Sequence, residues 1–264
     1  MEPALTEPAP SRRRPREGAV RGAVVAADAR ADGRADGRAD GRAAQRERIL
    51  DALFDVMSSS GTLGASVTEI AEAAGIARGA LHYYFESKDE LKEALMRRLG
   101  TGYVARLAAF LEREAGRLAD GRSAVAGLAR WHFAGDDDET ARLLAVWIDY
   151  WGQAPSNDGI GAVVFQVQEE ARALCARALV LDRPEFALVD DDARRLHGAG
   201  ILAVIEGGLL QWRIAARSAR PLPSAVFGEV IGAAAAAIAR AIPMPSAGSA
   251  GSSGSSGLSV SEVR

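Results

Sequence analysis

Three observations predict an all-α fold. Apolar residues recur at helical spacing through most of residues 43–242, no alternating strand pattern competes with them, and Gly or Pro falls where helices should end. Together they predict about nine helices: a short three-helix N-terminal head, a long connecting helix and a C-terminal helical body.

Each element has its own signal. Helix 1 is expected over 43–60, with Ile49, Leu50, Leu53, Phe54 and Met57 forming its stripe. Ser66 is an N-cap for helix 2, and Glu69 three residues on completes a capping box. Val67, Ile70, Ala71 and Ala74 then share one face, Gly75 closes the helix in the left-handed region, and Ile76 plugs the corner. Helix 3 anchors through Leu81 and Phe85, and its opposite side carries Gly79 and Tyr83, flanked by Ala80 and His82. Ser87 and Glu90 form a second capping box, after which Leu91, Leu95, Leu99, Tyr103, Leu107 and Leu111 recur every four residues along helix 4. Gly100 and Gly102 predict a weak point or bend near its middle. Helices 5 to 9 are expected over 122–134, 138–152, 157–181, 190–217 and 223–241, punctuated by Gly121, Gly135, Pro155, Pro184, Pro221 and Pro243.

The ends differ from this pattern. Residues 1–42 hold almost no large apolar side chains and include three tandem Arg-Ala-Asp-Gly units from Arg30 to Gly41. Such a segment cannot bury enough apolar surface to offset chain entropy, so a disordered arm is expected. Residues 243–264 read as a Gly/Ser-rich tail.

A capped helix, a glycine turn and a short helix with small residues in front and aromatics behind form a helix-turn-helix, its second helix placed to read a major groove. These residues closely resemble the TetR (tetracycline repressor) family of transcriptional regulators: Ile70-Ala71, Ala74-Gly75-Ile76, Gly79, Leu81, Tyr83, Tyr84, Phe85 and Lys88 match its pattern. Ala77 departs from the usual hydroxyl cap, which removes roughly 1 kcal/mol of capping. His82 replaces the commoner tyrosine, as in relatives of the choline-responsive repressor branch. The resemblance implies a head over 43–90 and a ligand-binding and dimerisation body over 91–242. It also implies a homodimer that binds an inverted-repeat operator in double-stranded DNA, most often as a repressor, until a small-molecule effector releases it. DNA contacts are expected from Arg46, Ser66, Val67, Thr68, Ala77, Arg78, Gly79, Ala80, His82, Tyr83, Tyr84 and Lys88. The rival expectation is a helical small-molecule-binding protein or enzyme on the same scaffold without operator binding.

Charge bears on both. The formal net charge is −3, with nine Arg against seven acids in 1–42, and seven Lys/Arg against nine acids in 43–100. Bulk attraction to DNA is therefore weak, and the placement of a few cations must carry affinity. Within the arm, Arg12, Arg13, Arg14 and Arg16 are the better candidates for a phosphate or minor-groove contact.

The body carries the second signal. From Ala199 to Leu210 the helix is apolar all round apart from Glu206, which implies burial on more than one side. A dimer interface is expected at Ile201, Ile205, Gly208, Trp212, Val230 and Ala234. Aromatic residues with a few polar groups suit a small-molecule site, expected at Trp131, Trp147, Trp151, Phe165, Gln168, Glu206 and Gln211. A cationic ligand would suit the tryptophans and Glu206.

Catalytic patterns are weak. Cys175 is the only cysteine, which excludes an internal disulfide and points to a reducing compartment. His82, His132 and His197 are scattered without metal-ligand spacing, so no metal, cofactor or catalytic residue is expected. The acidic runs at 136–139 and 190–192 read as helix caps. No apolar run approaches the roughly 20 residues of a membrane span, and the cytoplasm is the expected compartment.

Overall fold

The computed structural model describes residues 40–59, 65–115, 122–135, 138–216, 218 and 222–243. The helices are α1 (40–59), α2 (Val67–Ala73), a 3-10 turn (Arg78–Ala80) leading into α3 (Leu81–Tyr84), α4 (Lys88–Ala115), α5 (Ala124–His132), α6 (Asp138–Gln153), α7 (Asp158–Asp182), α8 (Asp191–Ala215) and α9 (Ser224–Ala241). No strand occurs among the described residues. The expectations for the arm, the glycine/serine tail, Gly121, Asp136 and Pro221 fall outside the described residues.

Local chemistry sets the helix ends. Ser66 Oγ accepts from the Glu69 N–H at 3.1 Å while Glu69 Oε2 accepts from the Ser66 N–H at 2.8 Å, a complete capping box. Gly75 has φ 65°, the left-handed value that the turn requires. Asn157 and Asp190 cap α7 and α8 through Ile160 N and Ala193 N. At the start of α4, Ser87 Oγ accepts from Glu90 N, but the Glu90 carboxylate returns to the Glu86 N–H and not to that of Ser87. Asp182 ends α7 by accepting from Ser123 Oγ, Ala124 N and Val125 N, which ties the start of α5 to the end of α7.

Two expectations need correction. First, α1 begins at residue 40, inside the segment expected to be unstructured, because Arg42 finds a partner: it donates to the Tyr83 carbonyl at 3.3 Å and lies 5.0 Å from the Tyr83 ring centroid. Second, Gly100 does not interrupt α4, which runs unbroken over its 28 residues. A Cβ on Gly100 would sit 2.3 Å from Val167 Cγ2, so the glycine admits a valine of α7 against the α4 backbone.

The core has two parts. One joins α4, α5, α7, α8 and α9 around Leu107, Leu111, Leu128, Phe133, Leu179, Ile201, Ile205 and Trp212. The other joins Ile49, Leu53 and Met57 of α1, Ile70, Leu81, Phe85, and Leu91, Leu95 and Met96 of α4. It also takes Val146 and Tyr150 from α6 and Ile160, Val163, Val164 and Val167 from α7. The core of the head is therefore completed by the body, and does not end at residue 90.

Gly100→Ala should lower stability by about 1–3 kcal/mol through overpacking against Val167, despite the better helix propensity of alanine. Gly102→Ala should be neutral or stabilising by up to about 1 kcal/mol, since its Cβ would meet only Arg106 Nη1 at 3.4 Å. Urea unfolding of both variants checks the pair; equal effects would remove the close-approach explanation.

Candidate DNA-reading head and ligand cavity

The reading element stands on a buried anchor. Leu81 and Phe85 are 3% and 2% exposed, whereas Tyr83 on the opposite side is 65% exposed. Thr68, Ala77, Arg78, Gly79 and His82 share this solvent-facing surface, with Ser66 at the α2 start; Val67, Ala80, Tyr84 and Lys88 are half-buried beside them. A Cβ on Gly79 would meet nothing within 4 Å, so the front of the helix is open. The 3-10 turn has no side-chain cap at Ala77, as its missing hydroxyl implies. Burial, with Lys92 nearby, lowers the pKa of the Lys88 ammonium.

Arg46 behaves differently from its expected role. Its guanidinium donates to the Tyr84 carbonyl, lies 3.4 Å from Glu90 Oε1 and stacks 4.1 Å from the Phe85 ring centroid. It therefore holds α1 against the end of the reading helix and has little freedom to meet a phosphate.

Behind the head lies an aromatic cavity of about 50 Å³, lined by Tyr103, His132, Leu144, Trp147, Trp151, Val167, Gln168, Ala171, Glu206 and Leu209. A wider cleft of about 460 Å³ shares Tyr103, His132, Leu144, Trp147 and Leu209, and adds Trp131, Arg106 and Glu139. Trp147, Trp151, Gln168 and Glu206 thus meet as the sequence led us to expect, with Trp131 in the outer cleft. Phe165 and Gln211 do not: both are exposed on the outer faces of their helices. Periodicity concealed Tyr103, which occupies a leucine position in the α4 stripe, whereas His132 was legible only as a polar residue beside Trp131.

Polar groups in this cavity are few and strained by burial. Tyr103 Oη and His132 Nε2 are 2.9 Å apart, and His132 Nδ1 lies 2.8 Å from the Leu128 carbonyl. A neutral imidazole donating from Nδ1 and accepting at Nε2 satisfies both contacts. Burial pushes the pKa of His132 down to about 4, opposed by the Leu128 carbonyl, and raises that of Tyr103. Burial also raises Glu206, opposed by Gln168 and Arg172. Gln168 Nε2 stands 3.4 and 3.5 Å from the two Glu206 oxygens, and no ion pair reaches this carboxylate among the described residues.

The interface expectation also needs revision. Ile201, Ile205, Gly208 and Trp212 are buried within one chain: a Cβ on Gly208 would lie 2.9 Å from Ile231 and 3.3 Å from Phe133. The exposed side of α8 instead carries Leu196, Gly200, Ala203, Leu210 and Ile214, with half-buried Gly207 among them. That of α9 carries Val226, Val230, Ala234 and Ile238. Val230 and Ala234 therefore keep their place in an unpartnered apolar face. By length and composition α9 is the one helix among the described residues that could cross a membrane, at mean hydropathy 1.4. Its other face is buried at Gly228, Gly232, Ala235, Ala236 and Ala239.

A helix-turn-helix head continuous with a helical body containing a cavity defines a one-component regulator. Residues 49–95 match the family described as bacterial regulatory proteins, tetR family. The chain is 27% identical over 186 residues to the HTH-type transcriptional regulator BetI of Klebsiella pneumoniae (strain 342), covering 67% of this chain and 85% of that protein. It shares its fold with a transcriptional regulator from Rhodococcus sp. Rha1 at TM-score 0.57 and 23% identity, over 75% of this chain and 99% of that one. It shares it also with a regulator from Saccharomonospora viridis in complex with choline, at TM-score 0.53 and 16% identity, over 71% of this chain and 93% of that one. Residues 49–95 are thus a tetR-type DNA-binding head, and the chain is a helix-turn-helix transcriptional regulator similar to BetI proteins.

Tyr83→Ala should weaken DNA binding with stability unchanged, because Tyr83 lies outside the core. Lys88→Ala should lower the salt slope of binding by about one, as for one released counterion. Arg46→Ala should instead cost about 1–2 kcal/mol of stability and leave that slope unaltered. Binding measured between low and moderate salt, with melting curves, separates the three. An Arg46→Ala slope reduced like that of Lys88→Ala would restore its phosphate role.

His132 stays neutral in the folded protein down to about pH 4, while the unfolded ring protonates near pH 6.5. Between these values the unfolded chain binds more protons, so this contribution to stability erodes as pH falls from 6.5 towards 4. His132→Gln should flatten the dependence in urea titrations at pH 7 and pH 5.

Proposed function

We propose that the protein is a cytoplasmic homodimeric repressor that holds an inverted-repeat operator and is released when a small organic cation enters the aromatic cavity. The supporting observation is that a partly enclosed aromatic cavity is walled by α4 and α6, the same helices that pack under the exposed reading face. Tyr103, Trp147 and Trp151 offer ring faces, and Glu206 offers a carboxylate without an ion pair among the described residues, a composition that favours a desolvated cation. The choline complex of a structural neighbour is compatible with that ligand class. The proposed subunit contact is the exposed α8–α9 face, which would pair with its copy about a twofold axis as a four-helix bundle.

The protein acts by binding and not by catalysis in this reading. Cys175 is fully buried and its thiol is pushed up by desolvation, which removes it as a nucleophile. His132 is held between Tyr103 and a carbonyl, with no nucleophile beside it.

Selection of genomic fragments by the purified protein tests the operator: an enriched inverted repeat at moderate salt is expected. Its absence would leave a helical binding protein without an operator. Gly207→Leu should yield monomers in sedimentation, because its Cβ would meet nothing within 4 Å among the described residues, and operator affinity should fall with the dimer. Gly208→Leu should unfold or soften the monomer instead. Choline titration, followed by tryptophan emission, tests the cavity; Glu206→Gln should weaken that response about tenfold or more while leaving dimers intact.

A further inference from the structure

The aromatic site has two compartments that differ in charge. In the inner one, of about 50 Å³, Glu206 is the only charged group among the lining residues, since the buried His132 ring is neutral. Tyr103, His132, Leu144, Trp147 and Leu209 line both this compartment and the outer cleft of about 460 Å³, so one occupant can reach from the first into the second. The outer cleft adds one charge of each sign, Arg106 and Glu139, both exposed. The two are not equivalent. Glu139 stands in the first turn of α6, where the amide dipoles at the helix start already favour a carboxylate. Arg106 stands in the interior of α4, away from both helix ends, and no ion pair holds it among the described residues. Tyr103 and Arg106 are three residues apart and therefore share a face of α4, which walls the site from the inner compartment to the outer. Between the two charges the walls are aromatic: the Trp147 and Trp131 ring centroids lie 5.6 and 6.2 Å from that of Tyr103.

We propose that the ligand of this site is a linear zwitterion, with its cationic head against Glu206, an apolar chain along the rings of Tyr103, Trp131 and Trp147, and a carboxylate at Arg106. This rests on the reading of the aromatic cavity as a cation site, and it makes Arg106 the residue that selects the far end of the ligand. The cleft of about 460 Å³ falls within the roughly 300–1,000 Å³ of organic ligand sites, and a compact cation held in the inner compartment leaves most of it to water. An extended ligand displaces that water from the rings and gains a charge-assisted hydrogen bond from the guanidinium. Length decides the sign of the carboxylate's effect. On a short chain the carboxylate is confined near Glu206, and two like charges oppose each other; on a longer chain it escapes to Arg106.

Calorimetric titration of the full-length protein tests this with two series of increasing chain length, trimethylammonio carboxylates and the alkyltrimethylammonium ions that match them. The readout is the ratio of the two affinities at each length. For the shortest pair the carboxylate should weaken binding, and Glu206→Gln should relieve that penalty. At the length that reaches Arg106 the carboxylate should strengthen binding about tenfold or more, the size of a hydrogen bond to a charged group. Arg106→Gln should bring that ratio close to one, and Arg106→Lys should retain part of the gain. Because the ratio is taken within each variant, a change in folded fraction cancels from it. A ratio that never exceeds one, or a gain that survives Arg106→Gln, would overturn the zwitterion while leaving the cation site intact. Bis-trimethylammonium compounds that bind more tightly than both series would also overturn it, since they would assign the outer end to Glu139. If neither series bound at all, the cation reading would fall, and the zwitterion with it.

Discussion

The head of this protein cannot finish its own core. Two of its three helices have only seven and four residues, and the three bury too little apolar surface to hold a reading helix by themselves. Val146 and Tyr150 from α6 and Ile160, Val163, Val164 and Val167 from α7 supply the missing side, with α4 running between them. Because interiors are close-packed, movement in the body is felt in the head as repacking and not as a slack joint. A regulator needs that property. The same dependence explains why Gly100 is small: α4 and α7 must approach closely enough for Val167 to complete the head and wall the cavity together.

Electrostatics is organised by position. The head has no excess of positive charge, and several of its cations are spent internally. Arg98 of α4 bridges Glu47 and Asp51 of α1 at 3.1 and 2.8 Å, and Arg46 is committed to the end of α3. These pairs are largely surface interactions, and each is worth little in isolation. Their effect is geometric, since they fix α1 relative to the reading helix. Arg78, His82 and Tyr83 are then free to face solvent on one side.

Much of this was legible in the sequence, and the reasons are local. Ser66 with Glu69, Gly75, and the Leu81–Phe85 spacing each encode one geometric act within a few residues, so they read correctly without tertiary knowledge. The helix boundaries of the body were legible in the same way, within two residues. What failed depends on which neighbour a face meets. Ile201, Ile205, Gly208 and Trp212 lie on an apolar face of α8 that packs inside the chain, whereas Leu196, Leu210 and Ile214 lie on one that does not. Periodicity finds apolar faces but does not tell a core from an interface. Phe165 failed as a ligand residue for the same reason: an aromatic on α7 carries no mark of which side of the helix the cavity occupies. The internal partners of Arg46, Tyr84 and Glu90, were not legible because they lie some forty residues away.

Glu206 shows how a site can be concealed within a structural signal. In the sequence it is the one charge in an apolar run, equally suited to an interface ion pair. The fold places it on the cavity side of α8, beside Gln168 and aromatic rings, with Arg172 acting only at a distance and no ion pair among the described residues. A carboxylate left there without an ion partner destabilises the empty protein, because desolvation favours its protonated form. A ligand carrying positive charge would relieve that cost on binding, and part of its affinity would come from correcting the charge of the empty site. Relief would be greatest if the ligand also excluded water, which requires the indoles to close around it and α6 to move. The residue that gives the cavity its chemical preference thus also gives it a reason to change shape, and the shape change lies on the helix that touches the head.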